Sequence, residues 1–421
     1  MPMPKTDPIV DRDRLWDDIM ALGAITDPAR PYTRRSFSAL FLEGRDWLQQ
    51  RFHEAGLAIH VDAAGNLIGR REGADPNAGT IVIGSHSDSV PSGGRFDGMA
   101  GVISGLAIAR DLRDHGIALN HSLEIIDFLA EEPSEYGISC VGSRGITGML
   151  SLANLALRNK QDETLETALR RMGGDPGRLD GAIRADIAAA FELHIEQGPV
   201  LEARDLDIGI VTSIVGITRI EITFQGTAGH AGTTPMMLRR DPLIATAQLI
   251  GWISDKAEAF AARGQGHFVA TTGIVEVLPN ASNVIPKTVR IVVDARSEGR
   301  ALMEEFCRAL EAESLAVART ANVDRLGFDR LSDSMPAACD PALRRLLGDS
   351  AAALGFSSTE MASGAGHDTA FLSLVAPASM VFIPCKGGRS HTPEEWTSAE
   401  ALAAGTEDML NAIRSFDGKV A

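Results

Sequence analysis

Two short apolar stretches decide the fold class: residues 80–84 (TIVIG) and residues 123–129 (LEIIDFL). Both have the length and the β-branched or bulky side chains that are typical of buried strands. A helical pattern at 98–112 lies between them, and another at 36–55 precedes the first strand. Strands that alternate with helices at this spacing predict an α/β fold with a largely parallel sheet.

The middle of the chain has a different pattern, in which strand-like runs outnumber helices. The runs lie at 218–224, 269–277, 288–294 and 323–326, around helical patterns near 242–261 and 301–313. The α/β pattern then resumes with a helix at 341–353 and a strand at 379–384. We therefore predict a discontinuous α/β domain, residues 1–212 and 330–421, interrupted by a smaller α+β domain at 213–329.

Length, composition and charge limit the class of protein. A chain of 421 residues is long enough for about two domains. Its net charge of −16 would repel a phosphate backbone, so we expect no nucleic-acid partner. No stretch approaches the ~20 apolar residues that span a bilayer, and residues 1–14 lack a secretory pattern, so we expect a cytoplasmic protein without a membrane partner. The cysteines are too widely spaced for a zinc ribbon and are expected to be reduced: Cys140, Cys307, Cys339 and Cys385.

Polar motifs follow both predicted strands, at the sheet edge where open α/β folds bind ligands. The first motif, residues 84–101, reads GSHSDSVPSGGRFDGMAG. Within it, His86 and Asp97 are suitable ligands for a divalent first-row metal. Asp88 could hold the second ring nitrogen of a metal-bound His86. The alternative is a polar loop that binds nothing.

The second motif is a pair of adjacent carboxylates, Glu131 and Glu132. Two carboxylates side by side favour a nearby cation, so that one can bind a metal while the other takes a proton from water. An acidic helix start is the alternative. His194 and His391 can supply the missing nitrogen ligands, although a single histidine is more often structural.

The order of these residues resembles that of the M20-type metallo-amidohydrolases. Within them, the sequence is most similar to the hydantoinase/carbamoylase branch, with its N-carbamoyl-L-amino-acid hydrolases, β-ureidopropionases and allantoate amidohydrolases. The similarity is carried by the phrases GGRFDG, ELHIEQGP, GTAGHAGTTPM and SHTPEE. It implies a mixed-sheet α/β catalytic domain of the phosphorylase/hydrolase type, a smaller inserted α+β domain and a homodimer formed through the insertion.

The resemblance also implies two divalent metal ions per subunit. The first would be bound by His86, Asp97 and His194, and the second by Asp97, Glu132 and His391. Glu131 would be the catalytic base and then the acid. Zinc, manganese, cobalt and nickel all suit these ligand types.

Substrate contacts follow from the same resemblance. His230 would stabilise the oxyanion, commonly from the neighbouring subunit. Asn283 and Arg296 would bind a substrate carboxylate, for which arginine offers a bidentate fork. Gln197 and Gly366 would complete the contacts.

Some of these residues have simpler explanations. Arg296 could form a salt bridge with Asp294 or Glu298, and for His367 we favour a structural role at a helix start. One departure from the family pattern concerns residues 133–136, which read PSEY. Glu135 stands there in place of the usual arginine, which puts the particular substrate in doubt.

The expected function is hydrolysis of a linear amide (ureido) bond in a small, carboxylate-bearing substrate. An N-carbamoyl-amino acid, giving the amino acid, carbon dioxide and ammonia, is the leading substrate. Allantoate, ureidoglycolate and N-acyl-amino acids are alternatives. A non-catalytic binding protein is disfavoured, because binding requires no proton carrier such as Glu131.

Overall fold

The computed structural model describes residues 10–418. They form the helices α1 (Arg12–Ala24), α2 (Ala39–Glu54), α3 (Met99–Asp114), α4 (Val141–Ile146), α5 (Leu152–Leu155), α6 (Leu165–Arg171), α7 (Val200–Ala203), α8 (Pro242–Ala261), α9 (Arg300–Thr320), α10 (Pro341–Leu354), α11 (Thr369–Leu372) and α12 (Ala399–Asp417). The strands are β1 (Ala58–Val61), β2 (Leu67–Arg71), β3 (Thr80–His86), β4 (Ser122–Phe128), β5 (Ile187–Ile195), β6 (Ile208–Ile214), β7 (Gly216–Gln225), β8 (Gly229–His230), β9 (Phe268–Leu278), β10 (Val284–Ile285), β11 (Thr288–Ser297), β12 (Asp324–Asp333), β13 (Ala337–Ala338), β14 (Ser358–Ser363) and β15 (Ala378–Ile383).

The described residues divide into two compact units. The first contains the chain up to Thr212 and from Ala338 onward, and the second contains Ser213–Ala337. The second unit therefore ends at Ala337 rather than at 329, because β12 continues to Asp333. The later half of β12 is largely polar and exposed, so its sequence has no apolar run that would predict a strand.

In the first unit, nine strands of the described chain form one mixed sheet in the order β1-β2-β4-β3-β5-β15-β6-β13, with β14 also paired to β6. The neighbours β4, β3, β5 and β15 are parallel. The outer pairs β1–β2, β2–β4 and β15–β6 are antiparallel. The predicted mixed-sheet α/β fold is confirmed, and the carboxyl ends of the four central strands lie at the same edge of the sheet.

Helices cover both faces of this sheet, and alternate side chains of the central strands pack into two separate cores. In β3, Ile81 and Ile83 belong to the core that contains α3, whereas Val82 belongs to the core on the other face. Strands that are buried on both faces consist largely of apolar residues. This burial explains why β3 and β4 could be predicted from short apolar runs.

Several helices begin at the caps that their sequences offer. Ser38 accepts the Phe41 N–H at the start of α2. Asp241 and Asp340 cap α8 and α10, and each is followed by a proline at the first helical position. The helices predicted near 242–261 and 341–353 are confirmed, whereas the helix predicted at 301–313 continues to Thr320.

The second unit is an antiparallel sheet in the order β12-β7-β11-β9, packed against α8 and α9. Ile220, Ile222 and Phe224 of β7 alternate with more exposed residues and join the core beneath these helices. A separate ribbon pairs β8 with β10, and in it His230 lies opposite Val284. The order of the four sheet strands and of α8 and α9 is the predicted one, whereas the short strands β8 and β10 were not predicted.

Two further expectations concern the cysteines and membrane spans. All four cysteines are buried and have free thiols, as predicted. Among residues 10–418, no helix has the length and apolar character needed to cross a membrane.

Candidate metal centre

Four polar segments meet at the carboxyl edge of the central parallel strands. β3 ends at His86, and the Glu131–Glu132 pair follows β4. His194 is the penultimate residue of β5, and the loop after β15 carries His391. The parallel arrangement of these strands therefore gathers residues that are far apart in sequence.

The five residues predicted as metal ligands lie together in two groups that share Asp97. One group is His86, Asp97 and His194, and the other is Asp97, Glu132 and His391; within each, the possible ligand atoms lie within 4.8 Å of one another. Asp97 Oδ1 is 3.1 Å from His194 Nε2, and Asp97 Oδ2 is 3.0 Å from His391 Nε2. Each carboxylate oxygen of Asp97 thus faces a different group.

The second ring nitrogens of the buried histidines are held by main-chain carbonyl groups. His194 Nδ1 lies 2.8 Å from the Ile195 carbonyl oxygen. His86 Nδ1 lies 3.0 Å from the Asp88 carbonyl oxygen and 3.5 Å from the Asp88 carboxylate. The carbonyl of Asp88, rather than the expected carboxylate, is the nearer partner of His86. Such contacts fix the orientation of each ring, so that Nε2 faces the other residues of the ligand group.

Gly98 allows α3 to begin directly against the first ligand. Its φ is +69°, and a Cβ atom there would lie 2.4 Å from the His86 ring. Any other residue would displace His86 or the start of α3, so the glycine of the Asp97-Gly98 motif is required by the close approach.

Glu131 is buried next to both ligand groups. Its Oε2 lies 3.6 Å from His86 Nε2, and the Cys140 thiol lies 3.4 Å from its Oε1. Burial raises the pKa of Glu131 well above its usual range; His86 opposes this rise and Glu132 adds to it. A carboxyl group whose pKa is raised by burial is suited to general acid–base catalysis.

The charges of the site fit bound cations. Burial would raise the pKa of Asp97, but contacts with His194 and His391 hold it well below its usual range. Hydrogen bonds to Asp97 and Glu132 raise the pKa of His391 to about 10. Glu132 Oε1 is buried, and it lies 3.3 Å from His391 Nε2. Because a buried carboxylate oxygen needs a donor or a cation, these side chains have the donor set and the charge that divalent ions require.

Residues 82–415 match the model of peptidase family M20/M25/M40. The chain belongs to this family. As a member of the M20/M25/M40 family it is a hydrolase, and enzymes of this family are metal-dependent. The predicted M20-type resemblance is thereby confirmed.

Individual relatives indicate which branch of the M20/M25/M40 family the chain is most similar to. The chain is 37% identical over 408 residues to an N-carbamoyl-L-amino acid amidohydrolase of Geobacillus stearothermophilus, covering 96% of this chain and 98% of that protein. It is 33% identical over 409 residues to a ureidoglycolate hydrolase of Arabidopsis thaliana, covering 94% and 85%. A crystal structure of an amidase of the hydantoinase/carbamoylase family from Burkholderia multivorans matches with a TM-score of 0.89 and 36% identity, covering 96% and 98%. The predicted branch is confirmed.

The first unit also holds two of the predicted substrate contacts. Gln197, at a φ of +57°, donates from Nε2 to Asp97 Oδ1 at 3.1 Å and to Ser390 Oγ at 3.2 Å. Its Oε1 is buried without a hydrogen-bond partner. Gly366 is exposed in the loop before α11, and the neighbouring His367 is buried with its ring centroid 4.5 Å from that of His194. The His367 ring thus packs against the His194 ring, and its structural role stays a prediction.

The remaining predicted contacts lie in the second unit of this M20 hydrolase. His230 and Asn283 are both exposed, and the β8–β10 ribbon brings their segments together, since the Ala231 N–H donates to the Asn283 carbonyl at 2.9 Å. Arg296 is half-buried on β11, and its Nε donates to Asp294 Oδ1 at 2.8 Å. The salt bridge considered as an alternative for Arg296 is therefore present.

Glu135, the departure from the family pattern, is exposed, whereas Ser134 and Tyr136 on either side are buried.

Two residues that contact the metal centre were not predicted from the sequence. Glu395 accepts the main-chain N–H of Asp97. The Ser390 hydroxyl lies 3.5 Å from Asp97 Oδ2. The SHTPEE phrase contains both residues, although the sequence predicts a role only for its His391.

Proposed function

We propose that this chain hydrolyses an N-carbamoyl-L-amino acid to the amino acid, carbon dioxide and ammonia. The observation that carries the proposal is the buried Glu131 carboxylate beside two ligand groups that share Asp97. The substrate class comes from the Geobacillus stearothermophilus relative, whose name states that substrate. The near-complete coverage of both chains supports the transfer.

Two divalent ions are part of the proposal. His86, Asp97 and His194 would hold one ion, and Asp97, Glu132 and His391 the other. Mixed imidazole and carboxylate ligands suit zinc, manganese, cobalt or nickel. When bound, such ions polarise a substrate carbonyl and lower the pKa of water.

Glu131 moves the proton in the proposed reaction. Its carboxylate takes a proton from the attacking water, whose oxygen forms a bond to the carbamoyl carbon. The same carboxyl group then gives that proton to the departing nitrogen, and the C–N bond breaks. The carbamate that remains loses carbon dioxide, which accounts for all three products.

Polar residues of both units have proposed roles in holding the substrate. Gln197 Nε2 is used by Asp97 and Ser390, so its buried Oε1 is suited to accept an N–H of the ureido group. His230 would stabilise the oxyanion, and Asn283 and Arg296 would bind the carboxylate. Gly366, which has open space around it, would contact the substrate through its main chain.

A substrate panel tests this function directly. We expect the metal-loaded protein to turn over N-carbamoyl-L-amino acids faster than their D isomers, N-carbamoyl-β-alanine, allantoate, ureidoglycolate and N-acetyl-amino acids. Released ammonia and amino acid measure turnover. Faster turnover of ureidoglycolate, the substrate named for the Arabidopsis thaliana relative, would favour that alternative. Failure to hydrolyse any ureido compound would contradict the proposal.

We further propose that the second unit forms a homodimer through β9. This strand lies at one edge of its sheet and exposes Val269, Ile274 and Val275, whose relative exposures are 42%, 43% and 46%. An exposed edge strand with apolar side chains is a surface on which another strand can pair. A second copy of the chain would bury it.

Charged substitutions on β9 are expected to separate the subunits. The double variant Ile274→Glu/Val275→Glu should be monomeric by light scattering, because like charges would face each other across a two-fold axis. Leu331→Glu is a matched control, since Leu331 is 52% exposed on β12 at the opposite edge. It should remain dimeric. A monomeric unmodified protein, or a β9 variant that remains dimeric, would refute this interface.

A further inference from the structure

Glu395 lies four residues after His391 and is almost completely buried, with 1% of its surface exposed. Its carboxylate accepts three hydrogen bonds. Oε1 accepts the N–H groups of Phe96 and Asp97, at 2.8 and 3.0 Å, and Oε2 accepts the Ser390 hydroxyl at 3.0 Å. One side chain therefore joins the segment of the shared ligand, Asp97, to the loop that carries His391.

Ser390 is placed between two carboxylates. Its Oγ lies 3.0 Å from Glu395 Oε2 and 3.5 Å from Asp97 Oδ2, and it accepts Gln197 Nε2 at 3.2 Å. A hydroxyl group has one proton to donate. Because Glu395 is the nearer acceptor, the proton is directed away from Asp97. The lone pairs of Asp97 Oδ2 are then available to a cation.

The surrounding chain is shaped to this carboxylate. A Cβ atom at Gly94 would lie 1.8 Å from Glu395 Oε1, so glycine is the residue that leaves room for the side chain. The neighbouring residues of the two segments also pack together, since the Arg95 guanidinium lies 4.7 Å from the Trp396 ring centroid. Contacts on both sides of Glu395 thus hold the segment that carries Asp97 in a fixed position relative to the loop that carries His391.

We propose that Glu395 is a positioning residue of the metal centre: it fixes the main chain at Asp97 and takes the Ser390 proton, so that Asp97 Oδ2 can bind an ion. This inference depends on the metal ions of the proposed function, and it adds a residue that contacts neither ion. Side chains that orient ligands in this way typically change metal affinity by about 10–100-fold when they are replaced.

The Glu395→Gln variant separates the two parts of this role. Its amide oxygen can still accept the Phe96 and Asp97 N–H groups, which leaves the amide nitrogen facing Ser390. That nitrogen would donate to Ser390 Oγ, so the hydroxyl proton would turn to Asp97 Oδ2 and compete with an ion. The substitution should therefore weaken ion binding, while the hydrogen bonds from the Phe96 and Asp97 N–H groups are kept.

The experiment is a titration of the metal-stripped full chain with Zn²⁺ against a chromophoric chelator, without substrate. We expect Glu395→Gln to weaken the binding of one ion by about 10–100-fold. Adding Ser390→Ala should recover most of this loss, since no hydroxyl proton would remain. Glu394→Gln is the matched control, because Glu394 is exposed and its carboxylate accepts the nearby Thr392 hydroxyl. It should bind Zn²⁺ like the unmodified protein.

Several outcomes would overturn the inference. They are normal Zn²⁺ affinity in Glu395→Gln, a double variant no better than the single one, or a metal-free variant that melts early while its affinity is unchanged. If Glu395→Gln does not fold, Gly94→Ala displaces the same carboxylate, and normal affinity there would also refute the role. Because no substrate is used, a protein that binds Zn²⁺ as expected but hydrolyses no ureido acid would refute only the proposed function.

Discussion

Glu131→Gln is expected to lower kcat by about 10²–10⁴-fold, the range that positioned proton transfer contributes, while the protein keeps its metal ions. The substitution preserves the shape of the side chain but removes its ability to carry a proton. Glu131 lies 3.6 Å from His86 through one oxygen and contacts the Cys140 thiol through the other. Loss of the Glu131 carboxylate should therefore slow the chemical step, with little change in KM. Steady-state kinetics and metal analysis by mass spectrometry measure both quantities.

The control for this variant is Glu166→Gln, which changes an exposed glutamate that is paired with Arg170 on α6. It should have unchanged kcat and metal content. If Glu131→Gln retained substantial activity, another group would have to move the proton. If it lost metal instead, Glu131 would be a ligand rather than the base.

Asp97→Asn is expected to remove both metal ions and to abolish turnover. Its two carboxylate oxygens face different ligand groups, Oδ1 toward His194 and Oδ2 toward His391. An amide offers one neutral oxygen and one N–H donor, so it cannot bridge two cations. Metal content measured after dialysis should fall to nearly zero. His391→Ala, which alters only the second group, should retain about one ion if the groups are independent.

The control for Asp97→Asn is Asp13→Asn, since the Asp13 side chain is 86% exposed on α1. It should retain the metal content of the unmodified protein. One retained ion in Asp97→Asn would show that the two groups do not depend on a shared carboxylate. Melting curves recorded with and without added metal would distinguish loss of ions from loss of fold.

The central part of the fold could be predicted from the sequence because its strands are buried on both faces. β3 and β4 are fully buried and largely apolar, and short apolar runs such as 81–83 are informative without knowledge of their neighbours. β12 was harder, since most of its residues are polar and exposed. Its extent depends on pairing with β7, and that pairing is a property of the folded unit.

Polar motifs after two strands pointed to some candidate ligands, and the complete ligand sets came from the resemblance to M20-type enzymes. The hydrogen-bond partners of these ligands could not be predicted from the sequence. That Asp88 reaches His86 mainly through its carbonyl oxygen follows from the backbone path, which residue types do not encode. The bonds from Phe96 and Asp97 to Glu395 join positions about three hundred residues apart. Such contacts become visible only when the central strands are placed side by side.

Because both ligand groups share Asp97, the order in which the ribosome makes the chain affects when the site can bind ions. Asp97 and His194 leave the ribosome early, whereas His391 follows after the whole of Ser213–Ala337 has been translated. Domains generally fold as units during synthesis, but the first unit here is interrupted and cannot be completed until its last strand and loop emerge. A nascent chain would present an incomplete site to the cellular metal pool. Full loading is therefore expected only after the His391 loop has emerged, when ion binding stabilises the folded first unit.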